Sequence, residues 1–181
     1  MLNRVLLAAA ITFAFALPVM AQDLHAHAHH AHLHGVAKLE VAVEGGSLSL
    51  HLESPLEGVL GFEHAPRNDQ ERAAVAEMRK KLADGGKLFA PTTAAQCTLK
   101  SVQVEAPTLD AKPAAGQSTA SEHGDLDADF LFTCAQPAKL TGVEVRLSQA
   151  FPKLRRIDAQ VVSGKGQSAM CLTAKMRFLS W

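Results

Sequence analysis

The run "AKLEVAVEGGSLSLHLE", residues 37–53, places the strongest limit on what this chain can fold into. Apolar Ala37, Leu39, Val41 and Val43 alternate with Lys38, Glu40, Ala42 and Glu44. After two glycines, Leu48, Leu50 and Leu52 alternate with Ser49, His51 and Glu53. Side chains of a strand point to opposite faces in turn, so a period of two predicts two strands, each with one buried and one wet face. The Glu44-Gly45-Gly46 connection supplies the positive-φ residues that a tight hairpin needs.

The same period returns in "LDADFLFTC", where Leu126, Ala128, Phe130, Phe132 and Cys134 share a face. "CTLKSVQV" from Cys97, residues 142–147, residues 157–162 and a short stretch ending near Trp181 also read as strands, and "SGKGQ" at 163–167 reads as a glycine turn. One helix is predicted over residues 69–83. Asn68 can cap it, Glu71 stands at the reciprocal position, Val75, Met78 and Leu82 trace an apolar stripe, and "DGG" at 84–86 ends it. Between the hairpin and this helix, Pro55, Gly58, Gly61 and Pro66 break regularity. Residues 107–124, rich in Ala, Pro, Ser and Thr, have neither periodicity and read as a mobile loop. Many short strands and one helix predict a mainly β fold: a single antiparallel β-rich domain over residues 36–181, of which a sandwich is one form.

The N-terminus reads as an export address. "MLNR" is a short positive region, "VLLAAAITFAFALPV" an apolar core and "VMA" a small-residue cleavage site, which predicts a signal peptide over residues 1–21. The core is shorter than the roughly 20 apolar residues of a membrane span, and no other long apolar run follows, so stable membrane insertion is not expected after cleavage. Removing Arg4 leaves 17 basic against 18 acidic residues. That balance, with 5% aromatics and no tyrosine, gives neither the basic surface nor the stacking platform that nucleic acid requires. Three cysteines suit an oxidising compartment with one bridge and one thiol left over. Three pairings are possible. Cys97 with Cys134, both on strand-like runs, is the best of them, and Cys171 reads as a small buried thiol.

"HAHAHHAHLHG", residues 25–35, holds six of the chain's nine histidines. Neutral imidazole ligates zinc, copper and nickel, and most copies are neutral at pH 7. His25, His27, His29, His30, His32 and His34, in a flexible tail over residues 22–35, therefore offer several interchangeable ligand sets. Ordering such a tail costs entropy at each binding event, so the expected binding is weaker and faster to exchange than at a preformed tetrahedral site. An engineered tag is a poor account, because alanines interrupt the run and no linker precedes it.

Three histidines remain. His51 and Glu53 form H-x-E on the outward face of a strand, about 7 Å apart, which is also a common solvated pattern. Glu63 and His64 in "GFEHAP" lie in an irregular loop where both can turn toward one ion. His123 precedes Asp125, Asp127 and Asp129 in "SEHGDLDAD", either a row of ligands or the polar face of the Phe130 strand. Enzymatic signatures are missing: the chain contains no H-E-x-x-H, no G-x-S-x-G and no P-loop.

"HGVAKLEVAVEGGSLSLHLESPLEGVLGFEHAP", the capped helix, "CTL", "EHGDLDADFLFTC", "FPKLRRIDAQVV" and "GQSA", in that order, resemble the ZrgA-type zinc uptake proteins of Gram-negative bacteria from about His32 to the C-terminus. The resemblance implies a periplasmic accessory protein made under zinc limitation. It would assist zinc import beside an ABC transporter and its dedicated binding protein, and would not be an enzyme. Glu53, Glu63, His64, His123 and Asp125 match positions of the pattern. Two departures stand out: the middle loop holds only His123 where relatives often carry a second long histidine stretch, and Cys171 is unusual. The expectation is thus zinc capture by the tail histidines, with a domain site around His64, His123, Glu63 and Asp125. Copper or nickel handling, or an envelope domain that binds another protein and carries an incidental tail, are the alternatives.

Overall fold

A computed structural model describes residues 33–110 and 124–181. The predicted signal peptide, the tract from His25 to His32, and His123 lie outside the described residues. The opening pair forms as its pattern requires. β1 (Val36–Glu44) and β2 (Ser47–Pro55) are antiparallel, joined by Gly45 and Gly46 at φ 55° and 101°. Positive φ at both loop residues matches the right-handed twist of the flanking strands. Leu39, Leu48, Leu50 and Leu52 are fully buried, while Glu40 and Ser49 face water.

Beyond Pro55 the chain makes a single turn, α1 (Leu56–Val59), then the irregular stretch to Arg67, then the helix α2 (Asp69–Ala83). The Asn68 side chain accepts from the Glu71 backbone N–H at 2.9 Å. The reciprocal bond is displaced by one residue, for the Glu71 carboxylate accepts from the backbone N–H of Arg67, not of Asn68, at 2.6 Å. Met78 and Leu82 are buried and Val75 is half-buried. Gly85 does not simply stop the helix. It opens a further turn, α3 (Gly85–Leu88), and a Cβ there would stand 2.6 Å from the Phe130 ring, so its bare backbone lets this turn pack on the sheet.

The remaining elements are β3 (Phe89–Pro91), β4 (Cys97–Glu105), the turn α4 (Pro107–Asp110), β5 (Asp125–Cys134), β6 (Gly142–Val145), the turn α5 (Leu147–Ala150), β7 (Arg156–Ser163), β8 (Gly166–Leu172) and β9 (Phe178–Ser180). They form a six-stranded sheet, β4-β5-β2-β1-β7-β8, and a three-stranded sheet, β3-β6-β9. The two share one core, where the Phe89 and Phe130 rings meet edge to face at 4.8 Å.

The β-rich expectation stands, with corrections. The large sheet is mixed, because β1 pairs with β7 in parallel and with β2 antiparallel. A parallel neighbour must arrive by a long crossover, and everything from β2 to α5 intervenes between β1 and β7. Among the described residues, four single-turn α-helices and two 3-10 turns accompany α2, one of the former at the start of the stretch read as a loop. Strand β8 completes a hairpin with β7 through the predicted glycine turn. Cys171 on it is exposed and not buried, since Leu172 takes the inward phase. Cys97 and Cys134 are register partners on β4 and β5 and form the disulfide.

Candidate metal-handling sites

Strand directions decide where the histidine-bearing segments meet. β1 starts, β2 ends and β5 starts at one end of the six-stranded sheet, where Lys38 pairs with Glu53 and Pro55 with Asp125. His34 enters β1 there, the loop carrying Glu63 and His64 leaves β2 there, and Gly124 leads into β5 there.

These segments touch. The Leu56 backbone N–H donates to the Gly124 carbonyl at 2.8 Å. A Cβ on Gly124 would meet the Glu63 carbonyl oxygen at 2.9 Å, the Leu56 side chain at 2.6 Å and Thr108 at 3.1 Å. His64 and His123 are 59 positions apart, yet the fold brings their sequence neighbours, Glu63 and Gly124, into backbone contact.

Of the two described histidines at this end, His64 has the better-held ring. His64 Nδ1 lies 3.0 Å from the Ala65 carbonyl. A carbonyl can only accept, so Nδ1 is the donor, which leaves Nε2 as the nitrogen by which the neutral ring would ligate a metal. The ring also stacks on Phe62, with centroids 5.0 Å apart, and stands 3.9 Å from a Glu71 oxygen. His34 Nδ1 is 3.6 Å from Glu57 Oε2. The Arg155 guanidinium donates to the His34 carbonyl at 3.1 Å, which ties the root of the histidine tract to the segment entering β7. One oxygen each of Glu57, Glu63 and Asp125 is shut off from solvent.

His51 stands elsewhere, on the open face of the sheet. Its sequence neighbour Glu53 turns away and accepts from Lys38 Nζ at 2.9 Å. Partners come instead from the adjacent strand: Nδ1 is 2.9 Å from Asp129 Oδ1 and Nε2 is 3.8 Å from Asp127 Oδ1. The Asp129 hydrogen bond holds the His51 pKa above its ordinary value, aided by the charges of Asp129, Asp127 and Glu40 and opposed by partial burial. Partial burial pushes Asp127 up; His51 pulls it down, and Glu53, Asp125 and Glu105 add to the rise.

Among the described residues, no three histidine, cysteine or acidic side chains converge closely enough to hold a metal ion between them. What the end of the sheet offers is the oriented His64 imidazole and the exposed His34, with carboxylates near each and His123 one residue before Gly124 in the sequence. Sequence reasoning missed Glu57, which comes near His34 only because the segment entering β1 passes the turn that follows β2. It noted Asp127 and Asp129 without seeing that cross-strand register sets them against His51.

No helix among the described residues is long and apolar enough to cross a membrane. No curated protein matches the chain. A family model described as "ZrgA family zinc uptake protein" matches residues 31–181, from within the histidine tract to the last residue. The gathered end of the sheet and the histidine tract that enters it therefore belong to a member of the ZrgA family of zinc uptake proteins.

Proposed function

We propose that this chain is exported, loses residues 1–21, and works in the periplasm as a zinc-binding accessory protein that captures zinc and assists its uptake by an ABC-type importer. Zinc is its cargo. The observation that carries this reading is the convergence just described: the last histidine of the tract, the His64 loop and the strand entry after His123 share one end of the sheet. His25, His27, His29, His30 and His32 provide exchangeable imidazoles for first capture. His64 and His123, with Glu63 and Asp125, form the second station, because the His64 ring is held by its stack on Phe62 and by the Nδ1 bond to the Ala65 carbonyl, which leaves Nε2 as its ligand atom. Pre-orientation removes part of the ordering entropy that weakens the tail, so zinc passes from tail to domain down a gradient of affinity.

Calorimetric titration of zinc into the oxidised mature chain at pH 7 tests this, with copper and nickel run in parallel. Replacing the six tract histidines with alanine should remove several weak sites and leave one tight zinc site, which His64→Ala then weakens by at least about tenfold. If the six-alanine chain binds no zinc, or His64→Ala leaves its affinity intact, the second station does not exist. If copper or nickel binds the intact chain while zinc does not, the cargo is misassigned.

A further inference from the structure

The open face of the six-stranded sheet repeats, around His51, the parts of a zinc position. Register across the sheet lines up Gln103, Asp129, His51, Glu40 and Gln160 in one row and Glu105, Asp127, Glu53, Lys38 and Asp158 in the next. All of these lie on the face opposite the core, so the side chains stand in water with cross-strand neighbours about 5 Å apart. His51 is central to the first row and has carboxylates on both flanking strands, Asp129 and Asp127 on β5 and Glu40 on β1. Lys38, the nearest cation by register, is engaged with Glu53.

Two distances carry the argument. Asp129 Oδ1 sits 2.9 Å from His51 Nδ1, which places a carboxylate behind the ring in the manner of a carboxylate–histidine–zinc triad. On the far side of the ring, Asp127 Oδ1 stands 3.8 Å from Nε2. Two donors bound to tetrahedral zinc at about 2.1 Å stand about 3.4 Å apart. A small rotation of the half-buried Asp127 side chain brings both donors into range of one ion. A bare acidic patch has no such directionality. Here the imidazole is aimed by one carboxylate at a point that a second carboxylate already approaches.

We propose that His51 Nε2 and Asp127 form a second zinc-binding position on the sheet face, separate from the His64 end, with Asp129 as the positioning residue that orients the imidazole. Two protein ligands leave the other coordination sites to water or to donors from an incoming protein, so this is an exchange position and not a store. It gives the chain a place where zinc is half-coordinated and open on one side, the geometry a hand-over requires. The inference rests on the reading of the chain as a zinc-handling protein.

The test is long-range ¹H–¹⁵N correlation of the histidine rings in the intact exported chain, titrated with zinc beyond saturation of the tract. His51→Asn identifies the His51 signal by its loss. The expected result is a zinc-dependent shift at Nε2 of His51 with Nδ1 still protonated. Asp127→Asn should raise the zinc concentration for half-shift by about tenfold, and Asp129→Asn by about 10- to 100-fold. A His51 ring unmoved by zinc, or moved equally in the Asp127→Asn chain, overturns the proposal and leaves an ion-paired imidazolium. His64 is read in the same spectra, so failure of the sheet-face position is distinguishable from failure of the zinc-handling reading, in which no ring responds.

Discussion

Gly124→Ala probes the contact that brings the two ends of the candidate site together. Gly124 is buried, and an added Cβ would lie 2.6 Å from Leu56 Cδ1, 2.9 Å from the Glu63 carbonyl oxygen and 3.1 Å from Thr108 Cβ. Leu56 is itself fully buried and has little room to rotate, and the Glu63 oxygen is backbone, so the strand entry and the 61–66 loop must move apart. Inserting a methyl group into such a site costs about 1–3 kcal/mol. Separation also stretches the 2.8 Å Leu56–Gly124 hydrogen bond, worth about 1 kcal/mol. The expected loss is about 2 kcal/mol, which at a urea slope of about 2 kcal/mol per molar lowers the midpoint by about 1 M. Zinc affinity of the His64-dependent site should fall in the same variant, because Glu63 and His64 move with the loop. Gly86→Ala and Gly164→Ala are the controls, since nothing lies within 4 Å of a Cβ at either position. A Gly124→Ala midpoint that matches those two would refute the idea that this backbone contact is tight.

Two further outcomes follow from the same structure. Replacing Cys97 and Cys134 by alanine releases a loop of 37 residues and should lower unfolding stability by about 4 kcal/mol on the loop-entropy account. Because the bridge pins the end of β5 remote from Asp125, zinc affinity measured in native buffer should be unchanged, and a parallel loss of affinity would contradict the separation of staple and site. His51 sets a pH dependence. Its folded-state pKa is raised above 6.5, chiefly by Asp129, so its stabilisation is fully present below pH 6.5 and lost as pH rises through the folded-state value. The difference in melting temperature between the native chain and His51→Gln, measured from pH 5 to 8, should therefore shrink with rising pH, and a flat or growing difference would refute the ion pairing.

Local rules made much of the fold legible. Alternation in residues 37–53 is a one-dimensional record of a two-faced sheet, and the glycine pair leaves the backbone one sensible way to turn. Asn68, followed by the Met78 and Leu82 stripe, announces a helix because its first N–H groups need acceptors and its inner face needs cover. Strand β3 and the single-turn helices were illegible, for three or four residues cannot display a period. Cys171 was misjudged because one residue's phase on an edge strand, set by Leu172 turning inward, reverses its environment.

The histidine tract, the predicted export signature and the choice of candidate ligands are matters of composition and order, and sequence alone supplies them. Proximity is not. His34, Glu63 and Gly124 come together because β1, β2 and β5 are neighbours whose directions deliver three distant segments to one end of the sheet. His51 was paired with Glu53 by spacing, yet it bonds across to Asp129, because neighbours on one strand face are nearly 7 Å apart and register partners about 5 Å. Strand order and register are long-range choices, decided by which apolar faces bury together, and only the tertiary structure makes them.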